Sequence, residues 1–166
     1  LMALLVIVFI ADFSTAQRFV MPNGDNKTSS PRAWFNPLVC LLMAAHLVIN
    51  IFPVTASTAF GGMYYTTPAI GVVKTILALG ALIVLIQSRE WISRPDTQFK
   101  EGEFYMLVIS TLLGMNMMVS ANHFLMFFLG LEMASVPMAC LVGLDKYRHH
   151  SAEAAAKFIL TATFSS

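Results

Sequence analysis

Residues Asn122–Leu144 read NHFLMFFLGLEMASVPMACLVGL, an apolar run long enough to cross a bilayer as one helix, with Glu132 near its centre. Glu132 is also the one formally charged residue between Phe104 and Leu144. A carboxylate at that depth costs roughly 2.5 to 3.5 kcal/mol on insertion scales, so it is seldom kept for packing. The default reading is an ion or proton pathway with a basic partner on another helix. The alternative is a protonated Glu that hydrogen-bonds a neighbouring helix as structural glue.

The composition agrees with a membrane setting. The chain is 57% hydrophobic and 11% charged, against about 25% charged residues in soluble domains. A net charge of +1 and no basic stripe give no footprint for nucleic acid. Cys40 and Cys140 lie in apolar spans and read as small hydrophobes, with neither a disulfide framework nor a metal site implied.

Working outward from Glu132, hydropathy predicts an all-α membrane protein of six helices. They cover Leu1–Phe13, Pro37–Phe52 with a possible extension to Ala59, Pro68–Gln87, Glu103–Ala121, Asn122–Leu144, and a sixth from Ser151 onward. The first and last read as incomplete, so truncation at both ends is the expectation. The fourth and fifth are joined by almost nothing and should form an antiparallel hairpin. Lys and Arg occur in loops 14–36, 88–102 and 145–150 and are missing from the other two loops. The positive-inside rule then puts those three loops in the cytoplasm and the N-terminus outside. Trp34, Tyr64, Tyr65, Trp91 and Tyr105 fall at span ends, as an interfacial aromatic belt would.

Other candidate groups carry both a functional and a plain reading. On a helical projection Ser135, Ala139 and Gly143 fall within roughly 60° of Glu132, as a helix contact or a narrow hydrated slot requires. Pro137 frees the carbonyl of Met133 and is the candidate helix kink. Lys157 could exchange protons with a buried acid, or pair with Glu153 at i, i+4 on a helix start capped by Ser151. Lys74 could snorkel to the interface or conduct. His123 could release protons or simply cap the fifth helix. His46 reads as a satisfied polar contact, and His149 and His150 as loop residues. These four histidines have no acidic neighbours with which to build a metal site. No GxGxxG, P-loop, CxxC pair or nucleophile motif occurs, so redox chemistry is expected in other subunits.

Three stretches carry a resemblance to a known family: EFYMLVISTLLGM (103–115), FLGLEMAS (128–135) and SAEAAAKFIL (151–160). Together they resemble the N subunit of bacterial proton-pumping NADH–quinone oxidoreductase, respiratory complex I. The match is continuous from about Glu103 to Ser166, and residues 1–100 match in layout only. The resemblance implies an antiporter-like bundle of about fourteen helices with inverted repeats. Residues 1–100 would be the three leading helices, and 101–166 the start of the first repeat. It maps the family's fifth-helix acid onto Glu132 and its sixth-helix Lys onto Lys157, and puts the acid's Lys partner on a seventh helix beyond Ser166. It implies proton translocation driven by electron transfer elsewhere. It implies no cofactor in this chain, with NAD, FMN, iron–sulfur clusters and quinone in other subunits. The implied partners are the other membrane subunits and the lipid bilayer, and the implied location is the bacterial inner membrane. Two alternatives stay open: a subunit of a multisubunit cation/proton antiporter or membrane-bound hydrogenase, and a non-conducting membrane scaffold.

Overall fold

The computed structural model describes residues 1–18, 35–52, 55–92, 100–144 and 149–165, without the side chains of 14–18 and 149. Trp34 and most of the loops 14–36, 88–102 and 145–150 lie outside the described residues. Among the described residues there are six α-helices: α1 (Met2–Arg18), α2 (Phe35–Ile51), α3 (Pro68–Ile92), α4 (Glu101–Val119), α5 (Phe124–Val142) and α6 (His149–Ser165). Of these, α3, α4 and α5 are long and apolar enough to cross a membrane. The all-helical membrane architecture read from the sequence is the architecture observed.

The ends of the helices follow local chemistry. Thr67 caps α3 by accepting from the Ile70 N–H at 3.3 Å, and Pro68 takes the first helical position, where no N–H is needed. Glu101 and Glu103 occupy the first turn of α4, where the helix dipole favours acids. His123 caps α5, its Nδ1 accepting from the Leu125 N–H at 3.2 Å. At α6 the expectation fails. The helix begins at His149, so His149 and His150 are helical, not loop residues. Ser151 is no N-cap: its hydroxyl donates to the Val142 carbonyl at 2.7 Å and ties α6 back to α5.

One element was not foreseen. Instead of extending to Ala59, α2 ends at Ile51, and β1 (Ser57–Ala59) pairs antiparallel with β2 (Tyr64–Thr66). The turn between them carries φ of 65° at Gly61 and 89° at Gly62, a backbone that a side chain would strain. The hairpin is stitched to the α4–α5 turn. The Tyr65 N–H donates to the Ser120 carbonyl at 2.9 Å, and the Asn122 N–H to the Met63 carbonyl at 2.8 Å.

The core joins α1 to α4: Leu4, Val8, Phe35, Val39, Met43, Leu85, Ile92, Tyr105, Ile109 and Leu112. Tyr105 is fully buried there and is not part of an interfacial belt. Its ring meets Phe35 at 5.8 Å and Phe104 at 5.7 Å between centroids, and its hydroxyl accepts from the Asn36 side-chain amide. An indole or phenol inside apolar surroundings needs such a partner, and Asn36 supplies it.

Candidate functional site

The site is built on α4 and α5, whose backbones touch. A Cβ placed on Gly114 would stand 2.5 Å from the Ala134 nitrogen and 2.8 Å from the Met133 carbonyl oxygen. One placed on Gly130 would stand 2.7 Å from the Met118 nitrogen. These paired contacts fix an antiparallel register in which Asn116 stands level with Glu132. Gly130-Leu-Glu-Met-Ala134 is a small-xxx-small pattern, which lets membrane helices approach closely. The carbonyl that Pro137 frees at Met133 therefore packs on Gly114.

Glu132 lies mid-way along α5 and is half-buried. Among the described residues its carboxylate has no hydrogen bond and no ion pair. The face it shares with Ser135, Ala139 and Gly143 does make a helix contact. Ala139 is buried, and Gly143 meets Ala155 of α6, a Cβ on Gly143 standing 3.1 Å from that of Ala155. Ser135 turns its hydroxyl onto its own helix, donating to the Leu131 carbonyl at 2.9 Å.

Lys157 is not brought to Glu132. Its ammonium pairs with Glu153 at 2.6 Å, with the Lys side chain 73% exposed. Such an i, i+4 pair is worth about 0.3–0.5 kcal/mol in water, too little to hold a lysine against a better partner.

Lys74 has a partner that the helices alone do not supply: it is buried in the second turn of α3 and donates to the Tyr64 hydroxyl at 2.8 Å. The hairpin, invisible to a helix count, supplies that partner. Tyr64 lies outside the helices. Burial pushes its phenol up, but the Lys74 hydrogen bond, the nearby Ser120 hydroxyl, the Lys74 positive charge and the Thr66 hydroxyl together prevail and hold it below the usual tyrosine range. Part of the sequence signal was present: Tyr64–Thr66 is β-prone and follows a Gly-Gly turn. His123 is an exposed cap. His46 shares a hydrogen bond with Asn50 at 2.9 Å between their side-chain nitrogens. Among the described residues no group of three or more His, Cys, Asp or Glu could hold a metal ion.

Comparison with known proteins follows the same lines. Residues 121–166 match the family described as "NADH:quinone oxidoreductase/Mrp antiporter, TM". The chain is 56% identical over 138 residues to NADH-quinone oxidoreductase subunit N of Phocaeicola vulgatus, covering 83% of this chain and 29% of that protein. The same-named protein of Azobacteroides pseudotrichonymphae is 36% identical over 100% of this chain and 32% of its own length. Among solved structures, a chain of respiratory complex I from Thermus thermophilus with bound aureothin superposes with a TM-score of 0.57 at 28% identity. That superposition covers 95% of this chain and 32% of the other. The chain thus spans about a third of the length of the relatives it matches.

Proposed function

From the premise that this chain is a homologue of NADH-quinone oxidoreductase subunit N, we propose that it supplies part of a proton-translocating membrane subunit. Its own contribution is Glu132, the proton-carrying acid of α5. The observation that carries this reading is a carboxylate half-buried mid-helix in a membrane-length span, with no partner among the described residues. A side chain so expensive to insert calls for a cation from elsewhere in the full protein. In this reading a lysine from a later helix, beyond Ser166, holds Glu132 ionised. When a neighbouring subunit's charge state draws that lysine away, lost attraction and desolvation raise the acid's proton affinity and Glu132 takes a proton. Return of the lysine expels it.

Lys157 is the second group of the path, trading its exposed Glu153 pair for a proton relay when the rest of the bundle covers α6. Lys74 and His123 stand outside this path, the first engaged with Tyr64 and the second capping α5. The chain needs no cofactor of its own for these steps, and electron transfer belongs to other subunits. Its partners are the remaining membrane subunits and the bilayer, in a bacterial inner membrane. The hairpin faces outward and the loops bearing Lys and Arg face the cytoplasm.

The test is Glu132→Gln in the full-length protein within its complex. The amide keeps the shape and removes the titrating group. Proton translocation should fall to background while the assembled complex is recovered in normal yield. Undiminished translocation in that variant would reject Glu132 as the acid.

A further inference from the structure

Beneath the hairpin, polar side chains from three elements meet with more hydrogen-bonding capacity than they use. Lys74 of α3 is about nine-tenths buried, and so are Asn116 and Ser120 of α4. Lys74 gives one N–H to Tyr64 at 2.8 Å and lies 4.9 Å over the centroid of the same ring. Among the described residues its ammonium meets no carboxylate and its other two N–H bonds reach nothing. The Ser120 hydroxyl stands beside the Tyr64 phenol, yet its oxygen and Asn116 Oδ1 are buried with no hydrogen-bond partner.

Asn116 and Ser120 are four residues apart, hence one above the other on a single face of α4. Trp91 meets Phe104 at one end of the α3–α4 pair, and the Lys74–Tyr64 pair meets Ser120 at the other, so the helices run antiparallel. That register sets Ala78, one turn below Lys74 and itself buried, at the level of Asn116. Ala78 carries only a methyl group.

We propose that this cluster is a buried water site, sealed on one side by the hairpin. The ligand's chemistry follows from the groups that need it. Lys74 requires an acceptor, Asn116 Oδ1 requires a donor, and Ser120 can use either. Water supplies both, typically through about three hydrogen bonds to buried groups that lack other partners. A halide would satisfy the ammonium and leave the Asn116 oxygen orphaned. The site solvates a buried ammonium without a carboxylate and ties the hairpin to both helices. It lies on the α3-facing side of α4, away from the face that meets α5, and does not depend on the role assigned to Glu132.

The experiment is density at water-resolving quality for the full-length protein in its complex, for the wild type, Glu132→Gln and Asn116→Leu. A water should lie within about 3.2 Å of both Lys74 Nζ and Asn116 Oδ1. It should be present in the wild type and in Glu132→Gln, and lost in Asn116→Leu. Amide exchange gives a second readout. The Tyr65 and Asn122 N–H groups, which stitch the hairpin down, should exchange roughly tenfold faster in Asn116→Leu. Should Asn116→Leu not assemble, Ser120→Ala takes its place with the same acceleration expected. A dry pocket, direct pairing of Lys74 with Asn116, or an anion revealed by bromide anomalous signal would each overturn the proposal. So would unchanged exchange at both amides.

Discussion

At the scale of single residues, the sequence identified the costly groups and left their neighbours open. Glu132 is conspicuous because no other formal charge lies near it in the run, and its lack of a partner within the described residues keeps it so. The Glu153–Lys157 pair was legible because i, i+4 spacing is a local property of any helix. Lys74 was not legible, because its partner approaches from a hairpin ten residues earlier that folds over the end of the bundle. The Lys74–Tyr64 contact has a titratable consequence. Tyr64 is held below the usual tyrosine range, so the folded state favours the phenolate. The group's stabilising contribution is therefore fully present above the unfolded tyrosine value and is lost as pH falls through the folded one. Absorbance at a phenolate wavelength should rise earlier with pH in the wild type than in Tyr64→Phe, the difference marking Tyr64 alone. Coincident titration curves below the ordinary tyrosine range would show that Lys74 does not stabilise the phenolate.

At the scale of elements, α4 and α5 are held by what their glycines leave out. Gly114 and Gly130 let two backbones come into contact, and one half of this lies within a single segment, the small-xxx-small run of Gly130 and Ala134. The other half, Gly114, could not be paired with Met133 and Ala134 without the register. Gly114→Ala should destabilise the pair by about 1–3 kcal/mol through overpacking. Gly80→Ala in α3 is the control, since nothing lies within 4 Å of its added Cβ. It should be neutral or gain up to about 1 kcal/mol from helix propensity. Thermal unfolding in detergent should therefore show a lowered midpoint for Gly114→Ala and none for Gly80→Ala. Equal midpoints would mean that α4 and α5 do not touch at these glycines. The same scale explains Tyr105. Its position near a helix start suggested an interfacial residue, but α4 is the central helix, so the ring enters the core against Phe35 and Asn36.

At the scale of the whole molecule, the alternation of basic and uncharged loops gives an orientation that can be tested. Ser57 lies exposed on the hairpin and His150 exposed at the start of α6. With Cys40 and Cys140 first replaced by alanine, Ser57→Cys should react with a membrane-impermeant maleimide added from outside intact cells. His150→Cys should react only after the membrane is opened. The reverse pattern would invert the proposed topology and place the water site on the cytoplasmic side.

The chain alone settled the order of the six helices, the mid-helix position of Glu132 and the tight α4–α5 turn. Each of these depends on hydrophobic length or on spacing within one helix, both of which are written locally. Tertiary structure decided the rest: the hairpin docked on the α4–α5 turn, Lys74 buried against Tyr64, the glycine-to-backbone contact of α4 with α5, and Tyr105 inside the core. Those outcomes depend on which faces meet across helices and on orphaned hydrogen-bonding groups finding partners, and neither has a signature in the spacing of any single segment.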